Sequence, residues 1–396
     1  VRAVAGRGAG AVVEVPVVLG LTPPAGVTPD EDHPGFYRAG VRGGPYSDET
    51  IERHGCLATD LSAPGAVAPD LLDDGIDTVD LTGFADLQAT LAKVLASGRI
   101  DDADAIVIRS TLDGARLPLV SGTTVTVMHV ADEGLIMRSG GPNGRAVVGT
   151  RTVGMNGHGI ATSVHADQDV FGTPLTQVMG GRAPELFRHR SPEGQNLDAG
   201  LMLVNLWIPL RQPVQPLVLG DSASLDRPRH QLRYGLPTTS FLERGDDMVV
   251  NDIWLFLHDD AQRWWFRSDL DHRHAWLFDT LSIPHGAGIL PGEDVAEQWF
   301  ATPEEAGTAV EAGDAAGLTV ALASTPPADE PLPDGTPPGL RSAIATMTAV
   351  ADEARRDPSA VCGDGASAWT EAAQAACEGV VRRSVEMRLV VALDPR

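Results

Sequence analysis

Short apolar runs rich in β-branched and aromatic residues recur through the middle of the chain, with turn residues between them. Runs of this kind predict strands, because branched and ring side chains fit the pleated surface of a sheet. Many short strands without helices between them favour a sandwich, jelly roll or barrel over a parallel sheet. The runs that we interpret as strands are 105–108, 123–130, 147–153, 160–167, 201–208, 217–219, 253–257, 264–266 and 276–278.

Helical periodicity is present on both sides of these strands. Residues 84–96 place apolar side chains three and four positions apart, with Thr82 as a candidate cap, and Gly98 is expected to end this helix. Two alanine-rich stretches, 293–323 and 341–380, show the same spacing. We therefore expect a β core with added helices.

Composition divides the chain into four parts. Residues 1–80 are rich in Gly, Pro and Asp and are interpreted as coil. Residues 324–339 form a Pro-rich linker that cannot adopt regular structure. The predicted parts are an N-terminal extension packed on the core (1–120), the β core (121–290), a helical insertion containing the linker (291–380), and a final core strand (381–396).

Charge argues against nucleic acid as a partner, and the cysteine content bears on the cellular compartment. The 30 basic and 54 acidic residues give a net charge of −24, whereas a protein that binds nucleic acid needs a basic surface for the phosphates. The three cysteines imply no disulfide framework and fit a reducing cytoplasm. The apolar run 11–19 contains Glu14 and Pro16 and is too short to span a bilayer, so we expect a cytoplasmic protein without a membrane or targeting segment.

The strand predicted over 160–167 ends in a His-x-Asp pair, His165 and Asp167. Residues two apart on a strand share a face about 6 to 7 Å apart, so both side chains can converge on one ion. A non-haem iron centre of the two-His-one-carboxylate kind needs one further histidine and leaves the opposite face of the ion open. A hydrogen-bonded pair at a strand end is the alternative interpretation, and Asp169 is a second carboxylate candidate.

His285 is the preferred third ligand. It follows Pro284 and precedes Gly286, so little side-chain bulk crowds its imidazole. His272 and His274 lie in a charged, turn-like stretch and are interpreted as solvated, whereas His258 lies beside two acidic residues, where a surface salt bridge is the ordinary interpretation. The competing histidines are His230, His258, His272 and His274.

The alternation at 380–391 places polar residues on one face of the last predicted strand. A solvent-facing surface is one interpretation. The other is a cavity-lining strand, on which the Arg382 guanidinium binds a carboxylate through two parallel hydrogen bonds and the Ser384 hydroxyl adds another. A dicarboxylate co-substrate such as 2-oxoglutarate needs such an anchor while its keto acid end chelates iron. Glu386 is then expected to neutralise whichever of Arg382 and Arg388 is not used.

Four segments, in this order along the chain, resemble a family of non-haem iron, 2-oxoglutarate-dependent oxygenases of natural-product pathways. The family includes the cephamycin hydroxylase component and gibberellin desaturase-like proteins. Four segments together are far more specific than any one of them. They are VHADQ at 164–168, NLWIPL at 205–210 with PLVLGDSAS at 216–224, FDTLSIPHGA at 278–287, and RRSVEMR at 382–388.

The resemblance implies a fold that is mainly β with added helices (α+β), in which a double-stranded β-helix (jelly roll, cupin-like) core carries a helical insertion. It implies iron(II) held by His165, Asp167 and His285, with O2 as oxidant. It also makes Arg382 and Ser384 the expected anchor for 2-oxoglutarate. Arg388 is the reserve for that anchor.

The chain departs from the family pattern in two places. Ile208 stands where the family shows Arg in N-x-W-R-P, so the contact of that Arg is absent or supplied by another residue such as Arg211. The interval between His285 and Arg382 is longer than a jelly roll requires. A helical insertion at that point is well placed to act as a lid or a dimer surface.

The resulting hypothesis is an iron(II)- and 2-oxoglutarate-dependent dioxygenase that hydroxylates, desaturates or cyclises a small natural-product or amino-acid-derived substrate in secondary metabolism, with release of succinate and CO2. Arg151, Asn205 and Trp207 are the candidate substrate-binding residues, because they lie on predicted strands beside the metal pair. Two alternatives stay open: a cupin-type iron oxygenase that does not use 2-oxoglutarate, and a non-catalytic jelly-roll protein that binds a metal or ligand. We expect a small-molecule partner, no nucleic acid or membrane, and a chain that is able to form a homodimer.

Overall fold

The chain is described from a computed structural model. The described residues are 14–40, 51–131, 134–148, 154–170, 179–191, 194–238, 249–323, 325–326 and 331–393. The strands are β1 (Glu14–Leu21), β2 (Val27–Pro29), β3 (Tyr37–Ala39), β4 (Glu52–Asp60), β5 (Ile76–Asp80), β6 (Arg116–Pro118), β7 (Thr124–Val130), β8 (Ile136–Gly140), β9 (His165–Ala166), β10 (Leu201–Arg211), β11 (Leu217–Gly220), β12 (Gln231–Thr238), β13 (Val249–Phe256), β14 (Trp264–Phe266), β15 (His274–Asp279), β16 (His285–Ala287) and β17 (Arg382–Leu393). The helices are α1 (Ala85–Ser97), α2 (Asp102–Leu112), α3 (Ala183–Leu186), α4 (Arg227–His230), α5 (Glu293–Glu311), α6 (Ala315–Ala323), α7 (Pro338–Arg356), α8 (Pro358–Val361) and α9 (Ala366–Glu378).

Two sheets, mostly antiparallel, make up the β structure. The large sheet has the strand order β1-β4-β14-β11-β16-β9-β13-β12-β3-β2. The small sheet has the order β5-β15-β10-β17-β7-β6, and β8 also pairs with β17. Among the described pairs, β12 with β3 and β14 with β4 are parallel.

The central strands alternate between the sheets in the manner of a double-stranded β-helix. From β8 to β11 the chain passes small, large, small, large, and from β14 to β17 it passes large, small, large, small. This order makes β9 the neighbour of β16, and β10 the neighbour of β17, although each pair is far apart in sequence. The predicted jelly-roll core with added helices is therefore confirmed.

Apolar side chains cover the outer face of the small sheet. Leu91 and Ile108, from α1 and α2, lie in one buried cluster with Val204 of β10 and Met387 of β17. A second buried cluster holds the helices α5 to α9 together and includes Trp299. The opposite face of the small sheet points toward the large sheet, and the polar side chains of the small sheet lie on that face.

Residues 105–108, predicted as a strand, lie in helix α2 instead. The Asp101 carboxylate accepts a hydrogen bond from the Asp104 backbone N–H at 2.8 Å, and the Asp104 carboxylate accepts one from the Asp101 N–H at 3.2 Å. This reciprocal capping satisfies two N–H groups that the first helical turn leaves without partners. A four-residue apolar run fits a strand or a helix equally well, so the cap decides between them.

The interpretation of residues 1–80 as coil is wrong for the described residues of that range. Strand β1 pairs with β4 along its whole length, from Glu14 opposite Thr59 to Leu21 opposite Glu52. Val18 also exchanges two backbone hydrogen bonds of 2.9 Å with residue 289. These strands are stabilised by partners distant in sequence, which local composition does not reveal.

Three boundaries also differ from prediction. The N-cap of α1 is Phe84, not Thr82, although the helix ends at Gly98 as predicted. The strand predicted over 160–167 is regular only at His165–Ala166. Of the strand predicted at 147–153, the first two residues form no strand and the others lie outside the described residues.

The helical stretches predicted at 293–323 and 341–380 correspond to helices α5 to α9, and the predicted last strand is β17. No helix in the described part of the chain is both long and apolar enough to cross a membrane.

Candidate metal centre

The structure brings His165, Asp167 and His285 together between the sheets. His165 on β9 lies directly opposite His285 on β16, and their ring centroids are 4.5 Å apart. The Asp167 carboxylate lies 3.3 Å from His165 Nε2 through Oδ1 and 3.8 Å from His285 Nε2 through Oδ2. One ligand atom from each residue lies within 4.8 Å of the others, which is the spacing of donors around a single ion.

Backbone carbonyls fix the orientation of both imidazoles. His165 Nδ1 donates to the Ser163 carbonyl at 2.9 Å, and His285 Nδ1 donates to the Ile283 carbonyl at 3.0 Å. Because a carbonyl only accepts, each Nδ1 carries a proton. Nε2 is therefore the nitrogen of each ring that is left to bind a metal ion.

Charge within the group suits a cation. Burial lowers the pKa of His285 to about 4, against the opposing effect of Asp167, so this imidazole is neutral at neutral pH. Burial acts to raise the pKa of Asp167, but His285, Arg388 and His165 outweigh it and hold the pKa well below its usual range. The centre therefore offers the neutral imidazole of His285 and the ionised carboxylate of Asp167 as ligands.

Two further side chains hold the Asp167 carboxylate. Asn205 Nδ2 donates to Asp167 Oδ2, and the Thr280 hydroxyl donates to Asn205 Oδ1 at 2.8 Å. Arg388 Nη2 lies 3.7 Å from Asp167 Oδ1. Such outer contacts orient a ligating carboxylate and are common around metal ions in proteins.

Gly286, beside the histidine on β16, allows the two ligand strands to approach. A Cβ atom at this position would lie 3.2 Å from the Ser163 carbonyl oxygen and 3.2 Å from the Val164 Cα atom. Both of those atoms belong to backbone just before His165, which cannot shift without moving that ligand. The glycine therefore contributes to the short distance between the imidazoles.

The competing histidines lie elsewhere. His258 stacks on His54 with ring centroids 4.2 Å apart, and His230 pairs with Asp259 at 3.3 Å. His274 lies 3.9 Å from an Asp271 oxygen on the turn before β15. Among the described residues, His165, Asp167 and His285 are the group of potential ligands close enough to share an ion.

The second carboxylate candidate, Asp169, is also outside the centre. It forms a buried ion pair with Arg233. Arg233 in turn lies over the ring of Trp254, 4.8 Å from its centroid. Asp169 therefore stabilises the segment that follows the ligands instead of joining them.

Arg382 lines the cavity in front of His165 and His285, and it is almost completely buried. Its Nη1 donates to the Gln215 carbonyl at 2.5 Å, and its guanidinium lies 5.2 Å from the Trp207 ring centroid. Burial, with Arg138 nearby, lowers its pKa to about 9, so the group is still charged at neutral pH. The cavity thus contains a cation close to the candidate metal centre.

Several buried polar atoms beside this cation have no hydrogen-bond partner in the described structure. A buried donor without a partner costs free energy, so such a group in a native protein has a physical reason, of which ligand binding is one. Three donors in or next to the cavity are of this kind: Arg382 Nε, Ser384 Oγ and Trp207 Nε1.

Arg382 and Ser384 on the polar face of β17 are buried, and the Glu386 and Arg388 side chains are only 12% and 18% exposed, so the interpretation of a solvent-facing strand is wrong. The effect of Glu386 on the unused arginine stays a prediction, but Glu386 also has a partner that was not expected. Glu386 accepts a hydrogen bond of 2.8 Å from Arg138 Nε on β8, and both side chains line the cavity. Burial opposes ionisation of Glu386, but Arg138 outweighs it and lowers its pKa. Arg138, which sequence reasoning did not consider, therefore neutralises the Glu386 carboxylate.

The three candidate substrate-binding residues differ in their placement. Arg151 lies outside the described residues. Trp207 lines the cavity, as proposed. Asn205 is completely buried and is occupied by Asp167 and Thr280, so it positions a ligand instead of facing a substrate.

Ile208, which departs from the family pattern, and Arg211, considered as a substitute for the missing arginine, both lie away from the cavity. Ile208 is buried in the cluster between β10 and the helices α1 and α2, on the face that points away from the cavity. Arg211 Nη1 donates to the Glu378 carbonyl at 2.7 Å, at the end of α9. Neither residue reaches the candidate metal centre.

Sequence reasoning missed Gln215 and Glu293 near the cavity. Both are completely buried, and the Gln215 backbone N–H donates to Glu293 Oε1 at 3.0 Å. Burial raises the pKa of Glu293 to about 7. The sequence did indicate that a helix begins at Glu293, because an acidic residue directly after the Pro-Gly pair at 291–292 is typical of a helix start.

Comparison with known proteins gives no matching family model and no matching curated protein. Among solved structures, the chain is similar to the iron and alpha-ketoglutarate-dependent endoperoxidase NvfI, with a TM-score of 0.44 and 12% identity over 97% of this chain and 98% of that one. A structure of the same enzyme in a different conformation aligns with a TM-score of 0.43 and 13% identity, over 97% of this chain and 99% of that one.

Proposed function

We propose that the chain is an iron(II)- and 2-oxoglutarate-dependent oxygenase that acts on a small molecule. The observation that carries this proposal is a compact His-Asp-His group whose two histidines line one cavity together with a buried arginine that has an unpaired donor. Either feature by itself also occurs in proteins of unrelated function. Together they fit an ion and an anionic co-substrate that binds beside it.

The donor set fits iron(II). Two imidazole nitrogens and one carboxylate oxygen on one side of an ion form the facial arrangement of non-haem iron oxygenases, which leaves positions for other ligands. His165 and His285 lie side by side and Asp167 lies against both, so all three donors approach from the same side. Zinc also accepts such donors, and metal analysis distinguishes the two.

The unpaired donors fit a carboxylate. Arg382 Nε, Ser384 Oγ and Trp207 Nε1 are buried, and an anion that accepts from them would remove a cost of about 1 to 3 kcal/mol for each unpaired group. Arg388 is the weaker candidate for this anchor, because it lies 3.7 Å from Asp167 and so serves the metal carboxylate. We therefore assign the distal carboxylate of 2-oxoglutarate to Arg382 and Ser384.

When bound, iron and 2-oxoglutarate supply the activation of O2, coupled to loss of CO2 and formation of succinate. The chain holds the ion through His165, Asp167 and His285 and keeps the metal carboxylate oriented through Asn205. The cavity walls also include Trp207, Leu217 and Phe278, whose apolar surfaces exclude water from the reacting groups.

Hydroxylation, desaturation or cyclisation of a natural-product or amino-acid-derived molecule in secondary metabolism follows from the resemblance of the four sequence segments, and it is part of the proposal. Trp207 and Arg151 are the residues that we would substitute first in a search for the substrate.

Anaerobic titration with iron(II), followed by 2-oxoglutarate, tests the proposal. The wild-type protein should bind iron and then develop the weak visible absorption band of a 2-oxo acid chelated to iron(II). His285→Ala should lose iron binding. Arg382→Ala should keep iron but bind 2-oxoglutarate about 10- to 100-fold more weakly, as expected for the loss of charge-assisted hydrogen bonds.

Arg383→Ala is the matched control. Its guanidinium pairs with Glu378, on the other face of β17, so iron and 2-oxoglutarate should bind as in the wild type. Iron binding without the absorption band would favour the cupin-type oxygenase that does not use 2-oxoglutarate. Absence of iron binding would favour the non-catalytic binding protein.

A further inference from the structure

Two residues near the cavity have a left-handed backbone conformation. Asn143 has φ 53° and Gln215 has φ 47°, and they are the non-glycine residues with positive φ in the described part of the chain. Residues with a side chain rarely adopt this conformation, because Cβ crowds the neighbouring backbone. Such residues persist only where the surrounding structure holds them, and they cluster at functional sites.

One carboxylate holds both of them. The Asn143 backbone N–H donates to Glu293 Oε2 at 3.0 Å, and the Gln215 backbone N–H donates to Glu293 Oε1 at 3.0 Å. Glu293 Oε1 also accepts from the Leu290 N–H at 2.8 Å. Since Glu293 is completely buried, water does not compete for these contacts.

The position of Gln215 matters because of its carbonyl group. That oxygen accepts a hydrogen bond of 2.5 Å from Arg382 Nη1. The bond fixes one edge of the guanidinium and leaves Nε without a partner beside the cavity. The N–H and C=O groups of Gln215 belong to adjacent peptide units connected by its φ and ψ angles, so a change in those angles would move the donor that we assign to 2-oxoglutarate.

We propose that Glu293 is a positioning residue for 2-oxoglutarate, which acts by holding Gln215 so that its carbonyl orients Arg382. This inference rests on the proposed function of Arg382. It makes the first turn of α5, at the start of the helical insertion, part of the co-substrate site. The insertion is thus connected to the chemistry by a defined set of hydrogen bonds.

Glu293→Gln tests this role, because glutamine keeps the size of the side chain but turns an NH2 group, in place of one acceptor oxygen, toward the backbone N–H groups of Asn143, Gln215 and Leu290. We expect the dissociation constant of 2-oxoglutarate, measured anaerobically on the iron-loaded protein at a pH above the Glu293 pKa of about 7, to rise about tenfold. Iron affinity should stay unchanged, because Glu293 does not contact the metal centre. In steady-state assays KM for 2-oxoglutarate should rise while kcat changes little.

Glu297→Gln is the matched control. Glu297 lies one turn further along α5 and accepts from the Asn143 side chain at 2.8 Å, but no described contact joins it to Gln215. This variant should bind 2-oxoglutarate within about twofold of the wild type.

A second substitution separates positioning from general destabilisation. Asn adopts the left-handed conformation more readily than other residues with a side chain. Introducing Gln215→Asn into the Glu293→Gln variant should therefore restore part of the 2-oxoglutarate affinity. A protein damaged only in its folding would not recover affinity in this way.

Three results would overturn the inference. One is wild-type 2-oxoglutarate affinity in Glu293→Gln, and another is an equal loss of iron and 2-oxoglutarate affinity. The third is the absence of any recovery in the double variant. If the wild-type protein itself binds no 2-oxoglutarate, the proposed function fails and the inference fails with it, and the titration of the wild type distinguishes that case.

Discussion

At the scale of single residues, the amide of Asn205 shows how a ligand is oriented without touching the metal. The Thr280 hydroxyl donates to Asn205 Oδ1 at 2.8 Å, so the NH2 group of the amide has to face Asp167. Asp167 Oδ2 is thereby engaged, while Oδ1 lies toward His165. A carboxylate held in this way loses little rotational freedom when an ion binds.

Asn205→Ala should weaken iron(II) binding about 10- to 100-fold, the usual effect of removing an outer partner of a metal ligand. Anaerobic titration with a competing chelator measures this change. Asn156→Ala is the control, because Asn156 holds the Ile100 backbone through two hydrogen bonds of 2.8 Å, at a place that no described contact links to the metal centre. Equal iron affinity in the Asn205 variant and the control would contradict the assigned role.

At the scale of elements, strand β17 contacts the apolar core with one face and the cavity with the other. Val385, Met387 and Leu389 pack into the cluster under helices α1 and α2. Arg382 and Glu386 line the cavity on the opposite face. Alternation along a strand makes this possible, because successive side chains point to opposite sides of the sheet. The same strand therefore stabilises the fold and contributes to the candidate site.

Gly98, at the end of α1, and Gly307, inside α5, give opposite predictions for substitution by alanine. Gly98 ends α1 with φ 69°, a conformation that strains any residue with a Cβ, so Gly98→Ala should lower the free energy of unfolding by about 1 kcal/mol. Gly307 lies inside α5 with open space where an added Cβ would lie, so Gly307→Ala should raise it by about 0.5 to 1 kcal/mol. Urea denaturation measures both changes. A shift of the same sign in the two variants would contradict these backbone assignments.

At the scale of the whole molecule, buried acids set part of the dependence of stability on pH. Burial raises the pKa of Glu293 from 4.5 to about 7 and that of Asp279 from 3.8 to about 6. Such a group binds its proton more tightly in the folded chain than in the unfolded chain. Its contribution to stability is therefore fully present below the unfolded pKa and is lost as pH rises through the folded pKa.

Glu293→Gln should flatten this dependence. Between pH 4.5 and pH 7 the wild type should lose about 3 kcal/mol more of its unfolding free energy than the variant does, which is the equivalent of the Glu293 shift. Chemical denaturation at a series of pH values measures the difference, in which the contributions of the other groups cancel. Glu297→Gln should follow the wild-type curve. Parallel curves for wild type and Glu293→Gln would show that Glu293 titrates normally.

The sequence by itself determined the local features of the site. The spacing of Arg382 and Ser384 and the two-faced pattern of the last strand are set by the two-residue repeat of extended backbone. His165 and Asp167 are close because they lie two residues apart, at the end of β9. The helices after the core were also predictable, because apolar residues at helical spacing occur in long stretches there. A short run such as 105–108 gives no such signal, and its structure was predicted wrongly.

Only the tertiary structure decided which distant residues meet. Strand pairing places His285 opposite His165 and Glu386 beside Arg138 on β8. It also places Asn205, predicted to bind substrate, against the Asp167 carboxylate. The contact of Glu293 with Gln215 joins segments 78 residues apart. The physical reason is that local backbone periodicity fixes the face on which a side chain lies, whereas its partner depends on strand pairing and burial over the whole chain.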